Sequence, residues 1–186
     1  TGEAKYIDIL EQVTYNSLLA SISLDGKRFF YTNPLSVNED FPYTMRWSKE
    51  REEYIWVYCC PPNIARTLTQ VGAYFYSFAP DGLYVNLYGG NQLNTRMNGK
   101  ALKLTQTSGY PHDGKAVITI DEAPKDAFAV YLRIPGWCDD NVSVQVNGPP
   151  VSGTTPSPSS RVARQWTKGA FKDPLLPFRA KPIQAN

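Results

Sequence analysis

Apolar residues recur at helical spacing near the start of the chain. Tyr6, Ile9, Leu10 and Val13 share one side and Lys5, Asp8, Glu11 and Gln12 the other, which predicts an amphipathic helix from Ala4 to about Ala20. Asp25-Gly26 is a strong turn signal, and the following Arg28-Phe29-Phe30-Tyr31 reads as a short strand or extended segment closed by Asn33-Pro34. Residues 36–53 are polar, aromatic and irregular, and their cluster Lys49-Glu50-Arg51-Glu52-Glu53 reads as a solvated loop or helix end. The apolar Ile55-Trp56-Val57-Tyr58 runs into Cys59-Cys60-Pro61-Pro62-Asn63. Proline suits the first turn of a helix, where its missing N–H has no partner to lose. Cys60 is therefore expected at a helix start, with the helix continuing through Ile64–Val71 toward the aromatic run Tyr74-Phe75-Tyr76.

From Asp81 the period changes from helical to alternating. Leu83, Val85 and Leu87 alternate with Tyr84, Asn86 and Tyr88, and Leu102–Thr105 and Val117–Ile120 read as further strands. Phe128, Val130, Leu132 and Ile134 alternate with their neighbours, as do Val142, Val144 and Val146 before the turn Asn147-Gly148. Period-two runs broken by Gly, Pro, Asp and Asn predict an antiparallel β-sandwich of roughly five to eight strands. Gly148–Ser160, rich in Pro, Ser, Thr and Gly, reads as a long loop within it, and Leu175-Leu176-Pro177-Phe178-Arg179 as an edge strand. The fold class is α+β, with the boundary drawn at residues 78 and 79: helices in 1–78, sandwich in 79–186.

Composition changes this picture little. At 186 residues with 42% hydrophobic and 19% charged residues, the chain is an ordinary globular one. A net charge of +2 without a Lys/Arg run argues against a nucleic-acid partner. No apolar run approaches the roughly 20 residues that span a bilayer, so no membrane partner is expected. A bacterial cytoplasmic location and a periplasmic or secreted one are both compatible with the sequence.

The chemistry concentrates at Cys59-Cys60. Three cysteines, two of them adjacent, do not make a disulfide framework. Buried packing, metal ligation and a redox or vicinal-disulfide role remain open, and two sulfurs alone cannot fill the four positions around zinc. Cys138 reads as a small buried hydrophobe, and His112, the one histidine, as a solvent-facing loop residue. Asn141-Val142-Ser143 matches the glycosylation acceptor pattern by composition alone. Trp47 and Trp56 read first as core aromatics, and Tyr84, Tyr88 and Tyr110 are candidate sugar-binding aromatics on the sandwich.

These strings carry a resemblance. Ser23-Leu24-Asp25-Gly26-Lys27-Arg28-Phe29-Phe30-Tyr31 with Asn33-Pro34-Leu35, then Cys59-Cys60-Pro61-Pro62-Asn63, Gly82–Tyr88 and Leu132-Arg133-Ile134-Pro135-Gly136-Trp137 occur in an order similar to the β-L-arabinofuranosidases of glycoside hydrolase families 127 and 146. The resemblance implies that residues 1–78 are the end of an (α/α)6 barrel and residues 79–186 a β-sandwich. It implies a retaining hydrolase of L-arabinose-containing glycans with zinc held by three cysteines and a glutamate. Carried over, Cys59 is nucleophile and zinc ligand and Cys60 a second ligand; Tyr31 and Asn33 are candidates to line the sugar site. The remaining ligands and an acid/base glutamate are expected upstream of this stretch, which makes it a C-terminal part inactive alone. The alternative is a carbohydrate-binding or structural sandwich module without catalysis.

Overall fold

A computed structural model describes residues 2–33, 45–138, 142–148 and 159–169, and the backbone of 172–175. Pro34 and Leu35, most of the proline-rich loop, Asn141 and residues 176–179 of the expected edge strand lie outside the described residues. The chain divides into two compact units, Ile9–Ala73 and Thr1–Asp8 with Tyr74–Asn186.

Helix α1 spans Ala4–Val13, with its first residues counted in the second of these units. The expected helix to Ala20 keeps its course but not its form, passing into π-helix at Thr14–Leu18 and 3-10 helix at Leu19–Ser21. The hydroxyls of Thr14 and Ser21 donate to the carbonyls of Leu10 (2.8 Å) and Ser17 (2.5 Å), bonds that compete with the regular ladder and loosen it. The apolar face of α1 is largely uncovered, although Leu10 is half-buried and Lys5 and Gln12 on the polar face are exposed as expected. Tyr6, Ile9 and Val13 are 51%, 58% and 49% exposed while Glu11 is buried.

Around Asp25-Gly26 the turn forms as expected. The Gly26 N–H donates to the Ser23 carbonyl at 2.8 Å with φ +72°, a conformation that glycine alone adopts without strain. The Asp25 carboxylate accepts from the Ser23 hydroxyl and the Lys27 N–H, which hold its pKa below the ordinary value. Of the strand or extended segment expected at Arg28–Tyr31 the second is found, bridged only at Phe29, with Ile22 and with Glu52. Arg51 lies 4.4 Å over the Phe30 ring and donates to the Ala20 carbonyl. Its polar neighbours in the expected solvated cluster, Glu52 and Glu53, are exposed. Helix α2 spans Cys60–Gln70 and runs on as a 3-10 turn, Val71–Tyr74.

Nine strands follow among the described residues: β1 Tyr76–Ala79, β2 Gly82–Val85, β3 Asn91–Met97, β4 Lys100–Ser108, β5 Ala116–Glu122, β6 Phe128–Arg133, β7 Ser143–Gln145, β8 Ser159–Arg164 and β9 Lys172–Leu175. β1 begins before the expected boundary at residue 79. The strands form sheets in the orders β1-β2-β6-β8, β3-β4-β5 and β7-β9. Period-two patterning sends Leu102, Leu104, Ile118 and Ile120 from one sheet and Leu83, Val85, Val130 and Leu132 from another into one buried cluster with Val144 and Trp166. Burial pushes the Tyr76 phenol up from its ordinary pKa, against the hydrogen bonds from Gln106 and to Asn91.

The expectation of wholly antiparallel sheets fails at one pair: β2 and β6 run parallel, Gly82 opposite Ala129 through Val85 opposite Leu132. Parallel neighbours need a long crossover, and the β3–β5 meander supplies it. The pairing is tight at its first residue. A Cβ on Gly82 would stand 2.1 Å from the Ala129 carbonyl oxygen, and that oxygen belongs to a backbone fixed by its sheet. Gly82→Ala is therefore expected to destabilise the strand unit by about 3 kcal/mol, the upper end of overpacking costs. A urea midpoint within error of wild type would show that the pair can open.

Candidate active site around the paired cysteines

Cys59 occupies the position before α2 and Cys60 is its first residue, with both prolines in the first turn. No side chain caps this end, and because Pro61 and Pro62 carry no N–H and the Asn63 N–H bonds the Cys59 carbonyl, the first turn leaves only the cysteines' own N–H groups without an intrahelical partner. Cys59 is exposed, Cys60 half-buried, and their sulfurs are 3.5 Å apart. Burial, followed by the hydrogen bond and charge of Cys59, pushes the Cys60 thiol above its ordinary pKa.

The pair is braced from within the helix. The Asn63 side-chain amide donates to the Cys59 carbonyl at 2.6 Å and its N–H to the same oxygen at 3.1 Å. Arg66 donates in turn to the Asn63 side-chain oxygen, and the Thr67 hydroxyl to the Asn63 carbonyl at 2.8 Å. Just ahead, the phenols of Tyr54 and Tyr58 share a hydrogen bond of 2.9 Å, which raises the pKa of Tyr54. Nothing in the sequence marks the Tyr54–Tyr58 contact, since these residues precede the helix in irregular backbone where four-residue spacing does not bring side chains together.

Two sulfurs bound to one tetrahedral zinc at about 2.3 Å stand roughly 3.8 Å apart. The observed 3.5 Å therefore fits a shared ion with little movement. Among the described residues no cluster of three or more Cys, His, Asp and Glu side chains suited to a metal occurs.

Tyr31 is half-buried with its ring 4.4 Å from that of Trp47, whose other neighbour is the Arg46 guanidinium at 5.4 Å. Asn33 is exposed. Among the described residues no hydrogen bond joins either to the cysteines. Trp56, read as core, is 78% exposed. In the strand unit Tyr88 is no surface aromatic: it is 2% exposed and its hydroxyl donates to the Arg133 carbonyl at 2.6 Å. Tyr110 and Cys138 are partly buried against the core and His112 is exposed in its turn.

The arrangement of a helical segment bearing vicinal cysteines, followed by β-sheets with their own core, has counterparts. Residues 1–73 match the catalytic domain of the family 127 β-L-arabinofuranosidases, and residues 82–171 match the middle domain of the same proteins. The chain belongs to glycoside hydrolase family 127. A non-reducing end β-L-arabinofuranosidase from Bifidobacterium longum subsp. longum is 33% identical over 158 residues, which are 82% of this chain and 24% of that protein. A solved glycoside hydrolase superposes with a TM-score of 0.94 at 43% identity, over 100% of this chain and 31% of its own. A family 127 β-L-arabinofuranosidase from Geobacillus stearothermophilus T6 gives 0.89 at 32% identity, over 100% and 30%. The chain thus spans about a quarter to a third of the length of these relatives. Among the described residues no helix is long and apolar enough to cross a membrane.

Proposed function

We propose that the chain is part of a retaining glycoside hydrolase that cleaves β-L-arabinofuranosides, with Cys59 as nucleophile and Cys59 and Cys60 as two ligands of a zinc ion. The observation that carries this reading is the 3.5 Å Cys59–Cys60 sulfur pair at the start of α2, within the segment matching the catalytic domain. Zinc, when bound, would keep sulfur deprotonated at neutral pH, doing for the thiol what acidity does for a carboxyl. The Cys59 sulfur attacks the anomeric carbon as a carboxylic acid protonates the leaving oxygen, giving a glycosyl-thioether. Water then displaces the sulfur on the same face that the leaving group occupied, so the configuration is retained. Asn63 fixes the backbone that carries the sulfur, and Tyr31 and Asn33 would contact the sugar.

In this reading residues 1–78 are the end of an (α/α)6 barrel and residues 79–186 a β-sandwich. The exposed Tyr6, Ile9 and Val13 on α1 and the exposed Tyr54, Trp56 and Tyr58 support the first part, since such apolar area belongs against further helices. The shared core of the strand unit supports the second. The third cysteine, the zinc-binding glutamate and the acid/base glutamate come from outside these 186 residues.

Turnover of an aryl β-L-arabinofuranoside, with the product anomer followed by NMR and zinc measured by mass spectrometry, tests this. The full-length polypeptide should hydrolyse it with retention, carry zinc, and lose activity to a chelator, while the 186-residue chain alone should not turn over. Inversion, or full activity in a zinc-free preparation, would sink the mechanism; turnover by the 186 residues alone would sink the division of the site.

A further inference from the structure

We propose that Arg66 is a positioning residue for the Cys59 sulfur and acts on it through Asn63. This role presupposes Cys59 as the nucleophile proposed above, and all three residues lie within the unit Ile9–Ala73. The Cys59 carbonyl accepts two hydrogen bonds from one residue, from the Asn63 N–H at 3.1 Å and from the Asn63 side-chain amide at 2.6 Å. The first is the ordinary opening bond of α2. The second is surplus to the helix. Pro61 and Pro62 already fix the backbone of its first turn, and a polar side chain that returns to the carbonyl four residues back loosens a helix slightly rather than supporting it. What the second bond does is restrain the peptide plane that leads out of Cys59, the residue that carries the sulfur and stands at φ −88° and ψ −46° ahead of α2.

Arg66 decides which end of the Asn63 amide meets that carbonyl. An asparagine side chain presents an oxygen that only accepts and a nitrogen that only donates. Turned over, the amide would set its oxygen against the Cys59 carbonyl oxygen, and the bond would become a repulsion. A guanidinium carries donors alone. Arg66, three residues on and so on the same side of α2, donates to the Asn63 side-chain oxygen. Only one orientation of the amide satisfies both neighbours, and the charged donor makes it the stronger choice. Asn63 and Arg66 are both exposed, so their contact buries nothing that would help the chain to fold. Its consequence falls on Cys59. A reacting atom displaced by about 1 Å from its line of attack can lose on the order of 10²-fold in rate.

The test uses the full-length polypeptide and an aryl β-L-arabinofuranoside. Asn63→Asp keeps an acceptor for Arg66 and adds opposite charge, but it replaces the nitrogen that donates to Cys59 by an oxygen. It should lower kcat by roughly 10²-fold with KM within about threefold, and with zinc content and melting temperature at wild-type levels. A merely structural role would leave kcat alone, because the contact with Arg66 survives. Arg66→Ala frees the amide to turn and should lower kcat by about tenfold, and Arg66→Lys, which restores a charged donor, should recover most of that loss. In a Cys59→Ala background, azide can take the place of the missing sulfur as nucleophile. Adding Asn63→Asp there should not slow the azide reaction further, since no sulfur is left to position. An equal fall in both backgrounds would mean that Asn63 acts on the sugar or the metal, and would overturn the proposal. So would wild-type kcat in both Asn63→Asp and Arg66→Ala, or losses that come in both with missing zinc or a lowered melting temperature. Each of these results leaves Cys59 as the nucleophile. Cys59→Ala that keeps its activity, or loses it beyond rescue by azide, sinks the nucleophile reading itself and does so without any change at Asn63 or Arg66.

Discussion

Cys59→Ala is expected to lower kcat on an aryl β-L-arabinofuranoside by roughly 10⁴–10⁶-fold in the full-length polypeptide, the scale on which enzymes lose a covalent nucleophile. A loss alone would not separate a nucleophile from a metal ligand or a structural thiol. Azide separates them. A small anion can enter the space the sulfur vacates, attack the anomeric carbon directly and release a glycosyl azide of inverted configuration. Rescue with inversion therefore reports the missing nucleophile, whereas a protein that had only lost its metal would not be rescued. Cys60→Ala makes the complementary measurement. Its sulfur lies 3.5 Å from that of Cys59 and belongs to a half-buried side chain whose thiol is pushed up by burial. It should lose zinc and activity together, without azide rescue. Cys59→Ala retaining activity within tenfold of wild type would end the nucleophile assignment.

The cysteine pair was legible because its chemistry is local: two thiols before two prolines fix both the residue types and the helix start, and α2 begins at Cys60. What braces the pair was not. Asn63 acts through the Cys59 carbonyl, a bond that depends on α2 having formed. The strands show the same division. Leu102, Leu104, Ile118 and Ile120 announced β4 and β5 by alternation, and all four are buried. β3 was missed because its inward positions, Asn91, Leu93, Thr95 and Met97, mix polar with apolar side chains. The parallel β2–β6 pair was missed because alternation fixes which face a residue takes but not which strand lies beside it. Tyr88 was read as exposed for the same reason, since a tyrosine among alternating apolar residues looks alike whether its hydroxyl meets water or the Arg133 carbonyl. On α1 the apolar stripe was real in the sequence, yet the structure leaves Ile9 and Val13 exposed. Its Asp8, assigned to the solvent side, has instead become the partner of a buried charge.

That partnership gives a stability effect as large as any expected outside the active site. Arg133 ends β6 at 3% side-chain exposure; its Nε donates to the Asn86 carbonyl and a terminal nitrogen to Asp8, each at 2.6 Å. Asp8 accepts in addition from the Gly136 N–H at 3.3 Å. Asp8→Ala would take the carboxylate from a guanidinium already removed from water while leaving its bond to the Asn86 carbonyl; breaking a buried pair from one side costs about 3–5 kcal/mol, and with Asp8 30% exposed the loss should lie at the lower end, about 3 kcal/mol. The exposed pair Lys103–Glu122, at 2.7 Å and nearly half exposed on both sides, should be worth about 0–1 kcal/mol. Glu122→Ala is thus the control for removing a carboxylate without burying a charge. Asp8→Asn should fall between, because an amide keeps the shape and one acceptor but loses the opposite charge. Urea unfolding of the three variants orders them, and the double variant Asp8→Leu with Arg133→Met should recover much of the loss, since no buried charge is left. A midpoint for Asp8→Ala no lower than that of Glu122→Ala would mean that Arg133 finds water or another partner. The Leu-Arg-Ile-Pro-Gly-Trp segment would then be held by packing rather than by charge.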